Sequence, residues 1–312
     1  MAGPLRVEHD IEVARWVQAS LSDLGSVATN VPPIFDAYAR ILHPATLMTP
    51  TGTTDAWGNP EQSSREITWA EAAELIGDRV GERQPWTAWL NRFGQVARDL
   101  PDGSLLIEGH TLPDGSRIQE PTDGDIPLPL LGTLTELLLD EHGDAEVLTA
   151  FWGGHGLDSA GSVIALAWPE GDKPSRREAK RATRAAQAAH DAAFAAAVDP
   201  EVARALREQH ELGLPAEGQG RGHVLLRGRL STFADPAWVE RAGLGWRAEW
   251  PHSGRTPNAL WPVEPHGAPA WFIATDLDLD ITLVGGSAHL IGRILGHPSI
   301  EAERTRPDDP LV

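Results

Sequence analysis

Cysteine is absent from the 312 residues, which excludes disulfides, thiolate metal sites and cysteine nucleophiles. Lysine occurs only at Lys173 and Lys180, against 24 arginines. Asparagine is scarce while alanine, glycine and arginine abound, the bias of a high-GC genome, so arginine in place of lysine says little about function. Cations are the minority: 26 Lys and Arg face 45 Asp and Glu, a net charge of −19. A phosphate backbone would be repelled by most of this surface, so nucleic acid is not an expected partner; a basic protein is. Long hydrophobic runs are missing too. Nothing approaches the ~18 apolar residues of a membrane helix, and the first sixteen residues show no basic-plus-apolar leader. The expectation is an acidic, cytoplasmic, globular protein with no membrane partner. Its 41% apolar content is enough for one large core or two modest ones.

Periodicity divides the chain into a mainly helical part over 1–100 and an α+β body over 101–312, within what can still be a single domain. Val13, Trp16, Val17 and Leu21 share one side of a helix over Ile11–Leu24. Ile34, Phe35, Tyr38, Ile41 and Leu42 recur at helical spacing up to His43-Pro44, where the proline ends the run. Thr49–Arg65 reads as a polar, mobile loop. Thr68 and Glu71 form a capping box for a helix over Ala70–Val80, and Trp86, Leu90 and Phe93 suggest a further helical turn. Beyond Pro101 the expected elements are a strand at Ser104–Glu108, a turn at Pro113–Gly115, a helix at Leu130–Glu141, and strands at Glu146–Trp152 and Ser162–Trp168. An alanine-rich helical hairpin is inserted over 172–222: one helix over Ser175–Val198, a second from Pro200 through Leu212, and a glycine-rich return. A strand at His223–Leu230, one bent or two separate strands over Trp271–Val284, and a helix at Ala288–Leu295 follow. No βαβ alternation or internal repeat is present. The fold class is α+β, with a largely antiparallel sheet, N-terminal helices and the inserted hairpin.

Three segments, Val31-Pro-Pro-Ile-Phe-Asp-Ala-Tyr-Ala-Arg-Ile-Leu-His-Pro, Trp271-Phe-Ile-Ala-Thr-Asp-Leu-Asp-Leu-Asp-Ile-Thr-Leu-Val-Gly-Gly-Ser and Arg306-Pro-Asp-Asp-Pro, resemble an uncharacterised family of actinobacterial cytosolic proteins. That family has no established activity, so the resemblance implies no mechanism. In mixed α+β layout and tryptophan usage the chain also resembles one class of immunity proteins.

The densest chemistry lies at Asp276-Leu-Asp278-Leu-Asp280-Ile-Thr282, led in by Trp271. Its outline is that of the aspartyl-nucleophile motif of haloacid-dehalogenase-type phosphatases, but no lysine follows Thr282 to complete that site. On a strand, residues at i, i+2 and i+4 share a face, so Asp276, Asp278 and Asp280 would form one carboxylate row able to hold Mg²⁺ or Ca²⁺ through oxygen ligands. The same residues equally suit a solvated strand face or a hairpin turn. Gly285-Gly286-Ser287 approaches a nucleophile elbow but continues to His289 instead of glycine. A tight glycine turn with Ser287 capping the next helix accounts for it, and the helix start could also receive an anion. Phe151-Trp-Gly-Gly-His155-Gly resembles an oxyanion loop without a nucleophile. The twelve histidines contain no H-E-x-x-H or H-x-H pattern, which excludes the zinc-protease class. Twelve tryptophans beside one tyrosine could stack on sugars, though core filling explains them as well.

Asp172–Arg184 carries six basic and two acidic residues in an otherwise acidic chain, a route to a dimer through the hairpin or simply a solvated face. Two functions follow. The first is a non-catalytic, acidic protein-binding protein, immunity-like or adaptor-like, with no cofactor. The alternative is a divalent-cation-dependent hydrolase using the aspartate row. Candidate binding residues under either are Asp276, Asp278, Asp280, Gly285, Gly286, Ser287 and Trp271.

Overall fold

A computed structural model of the chain describes residues 3–22, 25–55, 60–77, 97–99, 105–107, 110–154, 157, 174–208, 211–214, 221–246, 256–264 and 268–311. The expected strand Ser162–Trp168, the turn around Trp86 and most of the return at 213–222 lie outside them. In chain order the strands are β1 (Arg6–Val7), β2 (Ala37–Leu42), β3 (Ala45–Thr54), β4 (Pro60–Ile67), β5 (Ala97–Asp99), β6 (Leu105–Ile107), β7 (His110–Thr111), β8 (Arg117–Gln119), β9 (Glu146–Trp152), β10 (Glu211–Leu214), β11 (Arg221–Arg229), β12 (Ala259–Pro262), β13 (Phe272–Ala274), β14 (Ile281–Gly286) and β15 (Ala302–Thr305). The α-helices are α1 (Arg15–Ser20), α2 (Trp69–Ile76), α3 (Leu128–His142), α4 (Arg176–Ala197), α5 (Pro200–Arg207), α6 (Trp238–Arg241) and α7 (Ala288–Leu295). The fold is α+β, and among the described residues every strand pairing is antiparallel.

The main sheet runs β11-β9-β12-β13-β14-β2-β15, with β1 and β10 both laid on the outer edge of β11. Its inner strands are covered on both faces, and their side chains alternate between two cores as the period of 2 requires. Trp271, Ile273 and Val284 enter one core, which α3, α5 and α7 cover; Phe272, Ala274, Ile281 and Leu283 enter the other, beneath α1. A smaller sheet, β4-β3-β8-β7, packs its own core against α2. At the α2 N-terminus the Thr68 side chain accepts from Glu71 N–H, and the Glu301 carboxylate accepts from Trp69 and Ala70 N–H.

Strand β2, not helix, carries residues 37–42, which corrects the helix expected over Ile34–Leu42, and strands β3 and β4 follow. Residues 34–42 satisfy a helical spacing, but Ala37, Ala39 and Ile41 also alternate toward one core, with Tyr38 in the other. The two alanines carry too little bulk for that second period to show in the sequence. The loop expected at Thr49–Arg65 is instead the β3–β4 hairpin, whose outer residues are exposed. Pro50 and Gly52, which read as turn residues, sit at a register shift within it, where a missing ladder hydrogen bond is tolerated. The first helix is also shorter than expected, a 3-10 turn at Ile11–Ala14 followed by α1.

The hairpin forms as α4 and α5. A capping box of Ser175 and Glu178 starts α4, Asp199 caps α5, and Pro200 occupies its first turn. Leu212, expected in the second helix, lies in β10. The C-terminal end of α4 reaches the core through Phe194 and Val198, and α5 through Val202, Ala205 and Leu206. Among the described residues no helix is long and apolar enough to cross a membrane.

Candidate functional site

The aspartate run lies in the turn between β13 and β14 and not along a strand face. Asp276 breaks the extended geometry: its Oδ1 accepts from Asp278 N–H at 3.0 Å, and its carbonyl accepts from Leu279 N–H at 3.1 Å. This Asx-type turn competes with strand pairing over the same residues. Asp276 and Asp278 therefore face Arg221 at the start of β11, with Nη2 at 2.6 Å from Asp278 and Nη1 at 3.7 Å from Asp276. The guanidinium also lies 5.8 Å from the ring centre of Trp152.

Behind this ion pair lies a cavity of about 190 Å³. Val17, Leu21, Leu214, Ala259, Phe272 and Ala274 line it. Phe272, Ala259 and Ala274 are fully buried, whereas the Arg221 and Asp278 side chains are 42% and 73% exposed. The cavity thus combines apolar side chains with charged groups at the solvent-exposed Arg221 and Asp278. Asn30 and Asn258 line it too, and Asn30 Nδ2 is buried without a hydrogen-bond partner. His223 borders it as well; its Nδ1–H donates to the Arg221 carbonyl at 2.7 Å, and burial pushes its pKa down to about 4.

On the face of the sheet opposite Phe272 and Ala274, Thr275 ends a buried chain of hydrogen bonds. His43 Nδ1 lies 3.1 Å from the Thr122 carbonyl, which can only accept, so Nδ1 carries the proton. Burial lowers the His43 pKa to about 4, against an opposing push from Thr122, so the ring is neutral and Nε2 accepts. Thr282 must then donate to Nε2 across 2.9 Å and receive the Thr275 hydroxyl across 2.8 Å. Each proton position follows from the one before it. The Thr275 hydroxyl is left with accepting capacity only, and a histidine of such low pKa is a poor base at neutral pH.

An acidic apron adjoins the turn. Gly124 donates to the Leu279 carbonyl at 2.9 Å, and a Cβ there would stand 2.8 Å from the Leu277 carbonyl. Gly124 also has φ +80°, so both the space and the backbone call for glycine. The loop it belongs to brings Glu120 and Asp123 beside the aspartates. Burial, with the Asp123 and Asp280 carboxylates, pushes the Glu120 pKa up; burial and Asp278 raise that of Asp123. Among the described residues no group of three or more His, Asp or Glu side chains could hold a metal ion.

The remaining sequence candidates stand elsewhere. Gly285 and Gly286 close β14 and Ser287 follows, at the opposite end of that strand from the aspartates, about 20 Å away at ~3.3 Å per residue. The two glycines serve close packing and not a tight turn: a Cβ on Gly285 would meet Phe35 at 2.4 Å, and one on Gly286 would meet Leu290 at 2.8 Å. Ser287 Oγ accepts from Leu290 N–H and donates to Glu141, both at 3.0 Å, so a carboxylate already stands at that helix start. Ser287→Ala is expected to cost about 1 kcal/mol, a fall in Tm of roughly 2–4 °C by calorimetry; an unchanged Tm would remove the capping role. Trp271 is fully buried in the core on the other side of the sheet from Phe272.

Sequence reasoning missed Arg221, His223, Asn30, Thr275 and His43. None belongs to a local motif, and His43 read only as the end of a helix. Comparison of the chain with family models, with curated proteins and with solved structures finds no match.

Proposed function

We propose that the chain is a non-catalytic binding protein that receives a basic polypeptide on the acidic apron beside the β13–β14 turn. The observation that carries this reading is the convergence of Glu120 and Asp123 on the aspartate turn, where burial first and then neighbouring carboxylates (Asp123 and Asp280 for Glu120, Asp278 for Asp123) push their pKa values up. A lysine or arginine from a partner relieves the repulsion among these carboxylates, and the net charge of −19 steers such a partner inward. The low basicity of His43 and His223 further supports binding over acid–base chemistry. In this reading the protein acts as an immunity-like or adaptor-like partner in the cytoplasm and requires no cofactor.

The same charge logic gives the hairpin a role in self-association. Arg176, Arg177, Lys180, Arg181 and Arg184 are exposed and fall along one side of α4, where they can meet the apron of a second copy.

Gentle purification at low salt, followed by native mass spectrometry, tests the main reading. A basic polypeptide should co-purify, be lost at about 1 M salt, where the screening length falls to ~3 Å, and be lost from the Glu120→Gln/Asp123→Asn double variant. A bare chain at low salt, or retention unchanged in the variant, would overturn it. Because a raised carboxylate pKa means that ionisation opposes folding above that pKa, the same variant should melt higher at pH 7, on the order of 1–2 °C.

A further inference from the structure

The cavity under the Arg221–Asp278 pair has a chemistry distinct from that of the apron, and neither Glu120 nor Asp123 lines it. Val17, Leu21, Leu214 and Phe272 give it an apolar lining, with Asn30, His223 and Asn258 as polar neighbours. A dry apolar cavity of ~150 Å³ is enough to hold a benzene molecule, so about 190 Å³ admits one large aliphatic chain or a single ring. Its mouth carries charges of both signs, a guanidinium and two carboxylates, with the closest pair at 2.6 Å.

That mouth selects the head group. A ligand with only a negative head would take Arg221 and leave Asp278 without its partner; one with only a positive head would do the reverse. A zwitterionic head satisfies both, giving Arg221 a carboxylate and the two aspartates an ammonium. We infer that this cavity binds a free α-amino acid with a large apolar side chain, of the leucine, methionine or phenylalanine type: side chain inward, carboxylate toward Arg221, ammonium toward Asp276 and Asp278.

Isothermal titration of the full chain at pH 7 tests this with L-leucine, L-methionine and L-phenylalanine. Phenylalanine amide, which keeps only the ammonium charge, and N-acetyl-phenylalanine, which keeps only the carboxylate, serve as comparators. Saturable binding of at least one amino acid is expected, with both single-charge analogues at least tenfold weaker. Arg221→Gln, at a half-exposed position that spares the core, should weaken it at least tenfold, while Glu120→Gln/Asp123→Asn should leave it unchanged. No binding of any of the three at millimolar concentration would overturn the inference. So would equal binding of the single-charge analogues, which would reduce the site to an apolar hole. Because the double variant abolishes only the apron's partner, the two sites stand or fall separately.

Discussion

Lowering the pH from 7 to 4.5 should cost this fold several kcal/mol, through two histidines. His43 and His223 are buried and each has its pKa pushed down to about 4, from an ordinary value of 6.5. Between these two values the unfolded chain binds protons that the folded chain refuses, so stability rises with pH across the window. Full stability is present above 6.5 and drains away as the pH falls toward 4, on the order of 2–3 kcal/mol for each histidine. Glu120 and Asp123 work in the opposite direction, since their raised pKa values favour the folded state once they are protonated. Urea denaturation at pH 7, 6, 5 and 4.5 measures the net slope. His43→Gln, which cannot titrate, should remove about half of the pH dependence while lowering stability at pH 7. A profile flat from 7 to 4.5 would mean that neither imidazole is held neutral by burial.

Trp238→Ala should be the most damaging single truncation, at about 3–5 kcal/mol. Trp238 is fully buried, and its ring lies 5.0 Å from Phe233, 6.1 Å from Phe151 and 6.2 Å from Trp246, centre to centre. These four rings come from β9, the turn after β11, and α6 with the segment behind it, so no one backbone segment can shift to fill the void. Such a loss is a large share of the ~5–15 kcal/mol that holds a typical domain folded. It would show as a lower denaturation midpoint with an unchanged m value; a loss below about 1 kcal/mol would mean that the cluster repacks around alanine.

Elements whose signal is local were legible in the sequence. Thr68, Asp199 before Pro200, and Ser287 before an apolar helix each announce a helix start through a side chain that accepts one of its N–H groups, and each start is found there, although Glu71 pairs with Arg65 and does not complete the expected capping box. The strands on either side of the aspartates were legible from their apolar residues, as was the α+β class. Segments compatible with two periods were not legible. Residues 34–42 fit a helix until pairing with β14 and β15 decides the matter, and the aspartates fit a strand until Asp276 turns the chain on itself. The cavity had no local signature at all. Its parts come from α1, Asn30, β10, β11, β12 and β13, and only the sheet order brings them together.

Sheet order also sets a timetable. Strand β2 finds its two neighbours in β14 and β15, the latest strands of the chain. During synthesis at ~5–20 residues per second, the partner of Leu42 emerges about 240 residues later, a delay of roughly 10–50 s. For that interval a strand containing Tyr38, Ile41 and Leu42 has no ladder to complete, and both of its edges offer backbone N–H and C=O groups to any other nascent chain. The protein's exposure to aggregation is therefore concentrated in the time before its last residues are made, and slowing translation within the final third of the message would lengthen it.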